Sequence, residues 1–419
     1  MPPQRVMASV ALPFARLYPA FAAGYLLSYL FRSVNAVISP ELTRELALMP
    51  ASLGLLTSAY FIAFAAVQIP AGMLLDRYGP RRVEPVLLAV AATGALWFAI
   101  AEDVPGLVIA RALIGAGCAA CLMAPLKWIV TEYPVTRQPS LSGWIMVAGG
   151  VGALIATTPL ELALRYAPWR TIFVALGVTT YAVAAWIWLN IPDSPKHPHA
   201  AGFAKQWAGV KGVFTHARFW WIAPLGGIVM GGFMAIQGLW AVPWLIEVNG
   251  YDRATAARHL LFAGATMLAG YLVIGLFATR LARRGIYARH LFAGGFTGSV
   301  VALAAIVAGL PGTYLWWGMY GFGASVNVLS FTVLNDGFAK ELSGRANTAV
   351  NLIMFGGSFA IQWGIGLAAD GARAVLGLDA AHGLKLAFAL LLAISVAMLV
   401  WFAAGWRRER ARPLAAGKA

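Results

Sequence analysis

Apolar runs of about 20 residues alternate with short polar breaks along the whole chain, and twelve such runs can be drawn. Twenty residues of helix, at about 1.5 Å each, match the roughly 30 Å thickness of a bilayer's hydrocarbon. The pattern predicts transmembrane helices near residues 17–39, 52–75, 83–101, 105–130, 141–163, 170–191, 219–244, 256–279, 289–310, 313–335, 347–369 and 385–405. Most breaks are short. The stretch 192–218, PDSPKHPHAAGFAKQWAGVKGVFTHAR, is longer, polar and carries three prolines. It divides the chain into a first unit (1–191), a linker (192–218) and a second unit (219–419), six spans on either side.

Composition agrees with that pattern. The 419 residues are 60% hydrophobic and 11% charged, with a mean hydropathy of +0.74, more apolar than a water-soluble globular chain. The prediction is an all-α, multi-pass membrane protein whose first partner is the lipid bilayer, expected as a monomer in a bacterial inner membrane. The opening MPPQRVMASVALPFAR lacks a compact apolar region and a cleavage site, so the first helix is expected to stay in the mature protein. Lysine and arginine fall unevenly on alternate sides. The side holding both termini carries 22 of the 31, the other side 7, and Arg32 and Arg111 lie within spans. That excess puts both termini, and the linker, in the cytoplasm. It also accounts for the net charge of +15 without a nucleic-acid partner, because the cations are dealt out among loops.

The two halves echo each other. GMLLDRYGPRR, from Gly72, aligns with GLFATRLARRG, from Gly275, which sets Arg77 on Arg280 and Arg81 on Arg284. RALIGAGCAA, from Arg111, aligns with GMYGFGASVN, from Gly318, which sets Gly115 and Gly117 on Gly321 and Gly323. Weak symmetry between six-helix halves is typical of transporters built from repeats. GMLLDRYGPRR resembles the signature loop of the major facilitator superfamily, with Gly72, Asp76, Arg77, Gly79, Arg81 and Arg82 in the expected places. Arg111 with Gly115 and Gly117 resembles that superfamily's fourth-helix motif. The resemblance implies two pseudo-symmetric bundles around a central cavity lined mainly by spans 1, 4, 7 and 10. It further implies alternating inward and outward openings, with the loop residues, and by the repeat Arg280 and Arg284, latching the cytoplasmic side.

Substrate chemistry has to come from the cavity, not from the fold. In span 1, Tyr25, Ser28, Tyr29, Arg32 and Asn35 share roughly 120° of arc, with leucines behind them. Span 7 places Met230, Met234, Gln237 and Ala241 on one face flanked by Trp240 and Trp244. Trp316, Tyr320, Asn327 and Phe331 do the same in span 10, as do Asn347, Asn351, Phe355, Ser358 and Gln362 in span 11. Any one amide or hydroxyl could equally be a hydrogen bond between helices. Arg32 is different: Glu41, the nearest acid in sequence, is nine residues and about 13 Å of helix away. The sixteen acidic residues fall in loops or near span ends, Glu161 and Asp336 lying nearest the membrane. An unpaired guanidinium at depth calls for an anionic cargo, which its fork of donors suits.

Tyr29 and Arg32 also resemble the Tyr-x-x-Arg of the superfamily's organic-anion and phosphate-ester carriers. Proton-coupled members of that branch have an acid before the arginine and another in the fourth helix; here Phe31, and Cys118 with Ala119, stand at those places. The expected function is secondary transport of a small organic anion, carboxylate in type. Its substrate contacts are expected to be Tyr25, Tyr29, Arg32, Asn35, Arg111, Gln237, Trp240, Tyr320, Asn327, Asn351 and Gln362. Two alternatives stand beside it. Met230 and Met234, one turn apart, resemble the Met-x-x-x-Met of a copper-importing branch, although Ala263 follows His259 where that branch has a second ligand. Efflux of drugs or metabolites is the other, weakened because Pro159 follows a threonine where those carriers have glycine. No cofactor, resident metal or catalytic constellation is expected: Cys118 and Cys121 lack histidine partners, and no membrane-depth acid/base pair is visible.

Overall fold

The structure is a computed structural model that describes residues 14–132, 138–192, 211–335 and 343–411. Its helices are α1 (Phe14–Leu46), α2 (Pro50–Tyr78), α3 (Pro80–Ile100), α4 (Val104–Cys118), α5 (Met123–Glu132), α6 (Gln138–Ile155), α7 (Thr158–Leu164) and α8 (Trp169–Asn190), followed by α9 (Ala217–Ala235), α10 (Arg253–Arg283), α11 (Ala288–Val307), α12 (Thr313–Ala324), α13 (Asn327–Asn335), α14 (Ser343–Leu376) and α15 (Ala380–Ala411). No strand occurs among the described residues.

Ten helices are long and apolar enough to cross a membrane among the described residues. The count is eleven if Trp144–Ile155 and Thr158–Leu164, bent by 42°, form one span. The remaining expected span, 313–335, is divided into α12 and α13 by a turn at Ser325 and Val326, so neither piece reaches spanning length. Helix ends follow local chemistry. Asp103 accepts from the backbone N–H of Gly106 to cap α4, and Asp252 accepts from that of Thr255 to cap α10. Gly79 turns the chain from α2 into α3 at φ +78°, a left-handed conformation that suits glycine. Several spans run on past the apolar stretch: α1 covers 33 residues and α14 covers 34.

The repeat seen in the sequence has a packing counterpart. A Cβ on Gly115 would lie 2.1 Å from the carbonyl oxygen of Tyr60 on α2, and one on Gly117 would lie 2.4 Å from the backbone nitrogen of Ala91 on α3. In the later helices a Cβ on Gly321 would lie 2.1 Å from the carbonyl oxygen of Ala263 on α10. One on Gly323 would lie 2.4 Å from Oγ of Ser299 on α11. Each pair therefore brings one helix into backbone contact with two neighbours. Both of those helices then break just beyond the glycines, at residues 119–122 and at 325–326.

One seam joins early helices to late ones along α2 and α14. At one end Asp370 accepts from the backbone N–H of Ala51 at 2.7 Å; midway the Phe64 and Phe355 rings lie 4.3 Å apart; further along, Asn351 donates to Gln68 at 3.5 Å. Beyond that pair, a Cβ on Gly72 of α2 would meet nothing within 4 Å. The Asp370 end is also tied by Arg253 of α10, which forms an ion pair with Glu41 and donates to the carbonyl of Val37 at 2.8 Å.

Candidate functional site

Arg32 is the fifteenth of the 29 residues in the spanning stretch Tyr18–Leu46, and its side chain is buried. Four rings surround its guanidinium: Tyr29 at 4.4 Å, Phe355 at 5.1 Å, Phe64 at 5.2 Å and Tyr60 at 5.9 Å from the ring centres. A desolvated cation over such rings gains about 2 kcal/mol per good contact, which offsets part of the cost of burying it. Among the described residues no carboxylate pairs with it, and its buried Nε has no hydrogen-bond partner. Glu41, the acid nearest in sequence, is engaged by Arg253 instead. The cage therefore holds a positive charge that no carboxylate among the described residues neutralises.

Arg111 is fully buried. Its Nη1 donates to the carbonyl of Phe31 at 2.9 Å, and its guanidinium lies 5.3 Å from the centre of the Tyr60 ring. Tyr60 thus sits within reach of both arginines, and Arg111 holds the backbone of α1 one residue before Arg32. That arrangement makes Arg111 a support behind the cage. Its Nε and Nη2 have no hydrogen-bond partner.

The other expected contacts divide by where their polar atoms go. Tyr29 packs edge-on against Tyr25, whose hydroxyl faces Met146. Asn327 donates to the sulfur of Met230 at 3.0 Å and shares hydrogen bonds with the Tyr271 hydroxyl of α10. Asn351 reaches Gln68. Tyr25, Asn327 and Asn351 thus bond to other side chains rather than to the backbone of a neighbouring helix. Asn35 is turned away, its amide donating to Thr57 at 3.0 Å between α1 and α2. Gln237 donates to the carbonyl of Leu260, and Trp240 donates to the carbonyl of Gln362; each spends its donor on a neighbouring helix. The side-chain oxygen and nitrogen of Gln362 are buried without partners. Tyr320 is buried beside Phe233 in a crevice among the late helices, lined also by Ser299 and Ser395. Met234 accepts from Ser358 at 3.4 Å, so both methionine sulfurs are engaged by neutral donors.

Four participants escape the sequence reading. Tyr60, Phe64 and Gln68 recur every four residues on α2, a helical face that was visible but lacked charge to single it out. Tyr271 stands alone among apolar residues of α10. The span-7 stretch contains π-helical turns at Ile236–Trp240 and Trp244–Val248, a feature often found at functional sites and one that periodicity does not reveal.

The loop residues lie far from the cage. Arg77 is exposed over the Tyr78 ring, Arg81 donates to the carbonyl of Trp188 at 3.1 Å, and Arg82 is exposed. Arg280 lies over Phe277, and Arg284 is exposed. The side chain of Asp76 and all of Asp336 lie outside the described residues.

An acid near a span end is nonetheless enclosed: Glu84, fifth residue of α3, is completely buried, and neither carboxyl oxygen has a hydrogen-bond partner. α8 packs along α3, and Gly24 of α1 faces the carboxyl.

The sequence profile of the Major Facilitator Superfamily matches residues 21–362. The chain is 25% identical over 363 residues to the hexuronate transporter of Escherichia coli (strain K12), covering 80% of this chain and 78% of that one. It is 25% identical over 316 residues to the galacturonate transporter of Dickeya chrysanthemi, covering 69% and 87%. In fold it is similar to a crystal structure of a bacterial homolog of the human lysosomal transporter Spinster in an inward-facing, unoccupied conformation. The TM-score is 0.74 at 17% identity, over 94% of this chain and 98% of that one.

Proposed function

The chain belongs to the major facilitator superfamily, and on that premise we propose that it carries a small organic anion of the sugar-acid kind by alternating access. The protein is a multi-pass membrane transporter of small molecules, not an enzyme. The observation that carries the proposal is the Arg32 cage: a mid-span guanidinium ringed by Tyr29, Tyr60, Phe64 and Phe355 and paired with no carboxylate among the described residues. A carboxylate cargo supplies the missing charge through paired hydrogen bonds to the guanidinium. The aromatic faces suit the C–H faces of a sugar ring, and Tyr271, Asn327, Gln68 and Asn351 offer donors and acceptors to its hydroxyls. The named relatives that carry hexuronates and galacturonate support the same class.

The proposal places the termini in the cytoplasm of a bacterial inner membrane and treats 1–191 and 219–419 as the two moving units. Glu41, Arg253 and Asp370 then close the outer end in this conformation. Gly72, Asp76, Arg77, Gly79, Arg81, Arg82, Arg280 and Arg284 belong to the cytoplasmic end, where they act as the latch.

Counterflow of labelled D-galacturonate and D-glucuronate in proteoliposomes tests the cargo. Arg32→Ala abolishes exchange while purified protein remains folded, and Arg32→Lys restores little, because an ammonium lacks the planar fork. Normal exchange by Arg32→Ala would sink the anion reading.

A further inference from the structure

Glu84 belongs neither to the cage nor to the latch, and it is held oddly. It is 0% exposed, both oxygens lack hydrogen-bond partners, and no cation is paired with it among the described residues. A Cβ on Gly24 of α1 would lie 2.8 Å from Glu84 Oε1; from that same point Leu88 lies at 3.5 Å and Ile187 of α8 at 3.8 Å. Gly24 is thus the notch into which the carboxyl fits.

We propose that Glu84 is a proton-binding site, and that its loading and release against α1 couple a proton to the transport proposed above. An ionised carboxylate sealed in such a place costs several kcal/mol with nothing to repay it. The group is tolerated there in its neutral form. A leucine would fill the space with no desolvation cost, so packing alone gives no reason for an acid. The exchange is simple: one proton passes between a carboxylate oxygen and water, and no other bond changes. When α1 draws back from α3 and water enters, the proton leaves; when α1 closes on the loaded carboxyl, the site seals.

The surroundings fit a single titrating group. On α4 and the turn after it, Cys118 and Cys121 are buried free thiols, and neither bonds the carboxyl. Gly24 and Ile187, facing from α1 and α8, are neutral. On its own helix Arg81 is turned to the Trp188 carbonyl and Arg82 is exposed. On α5, Glu132 is exposed and Lys127 half-buried, and neither bonds the carboxyl. Coupling to cargo runs through α1 itself, because Gly24 and Arg32 are eight residues apart on one helix, about 12 Å along its axis.

The test has one part that depends on the cargo and one that does not. Infrared difference spectra of purified protein across neutral pH report protonated carboxyl groups. Wild type shows a protonated C=O band that Glu84→Gln removes, and absence of any Glu84-dependent band overturns the proton site. Gly24→Ala, which closes the notch, shifts or abolishes the same band and serves if Glu84→Gln is unstable. In proteoliposomes, an inward proton gradient of one pH unit drives about tenfold accumulation of D-galacturonate for one proton per anion, equal to about 1.4 kcal/mol. Glu84→Gln loses that accumulation yet keeps counterflow. Undiminished accumulation in Glu84→Gln overturns coupling and leaves a structural acid. If wild type moves no sugar acid at all, the cargo reading falls, and the infrared result alone decides the proton site.

Discussion

Gly115 and Gly117 let α4 close on α2 and α3, and Gly321 and Gly323 let α12 close on α10 and α11, yet the side chains that each half buries differ in charge. The helices before residue 193 bury Arg32, Arg111, Glu84 and Glu161. Among the described residues after 210, no lysine, arginine, aspartate or glutamate is buried; that half contributes Met230, Met234, Gln237, Tyr271, Tyr320 and Asn327. A duplicated packing plan has thus been given two chemistries, one that supplies charge and one that supplies neutral contacts. The lesson is physical. Backbone contacts at small residues fix where helices cross, and they constrain the cavity side chains very little.

The largest expected effect comes from breaking the shared plan. In both halves the added Cβ would sit 2.1 Å from a carbonyl oxygen, so Gly115→Val and Gly321→Val should fail alike. Overpacking of this kind costs at least about 1–3 kcal/mol, and here the obstacle is backbone that cannot step aside. Size-exclusion profiles and thermal unfolding in detergent measure it. A severe loss for one glycine and tolerance of the other would show that the halves are not packed equivalently.

Sharpening the chemical contrast calls for a smaller perturbation. Removing Arg32 is expected to eliminate exchange, but Asn327→Ala removes only neutral hydrogen bonds, worth about 0.5–1.5 kcal/mol each. The KM for D-galacturonate counterflow should then rise roughly two- to tenfold, with the maximal rate little changed. Complete loss of transport would move the centre of recognition into the second half.

How much of this was legible in the sequence depends on what kind of signal each part leaves. Spans were legible because twenty apolar residues are a strong pattern, and the repeat was legible because glycines at helix crossings cannot be exchanged without collision. The mid-span position of Arg32 and its lack of an acidic partner followed from counting charges. The cage did not. Tyr60 and Phe64 are ordinary core residues until α14 brings Phe355 against them, and that contact crosses almost 300 positions of chain. Asn35 and Gln237 looked the same in sequence as Asn327, but their amides are taken by Thr57 and the Leu260 carbonyl. A helical face specifies direction; whether the neighbour in that direction is cavity or helix is decided by tertiary packing. Glu84 was placed near a span end, and its burial against α1 and α8 came only with the tertiary fold.

The smallest expected effect separates cargo from metal. Met230 and Met234 stand one turn apart, as two soft ligands would, but their sulfurs accept hydrogen bonds from Asn327 and Ser358. Methionine serves equally as adaptable packing, and leucine conserves its volume at a cost below about 1.5 kcal/mol. The double change of Met230→Leu and Met234→Leu should leave D-galacturonate exchange within about twofold of wild type, because charge recognition rests on the other half. Radiolabelled copper uptake into cells making the wild-type protein should not exceed that of cells without it. Copper uptake that vanishes with the two methionines, alongside unchanged anion flux, would give the neutral half a function of its own and turn the contrast between the halves into one between two cargoes.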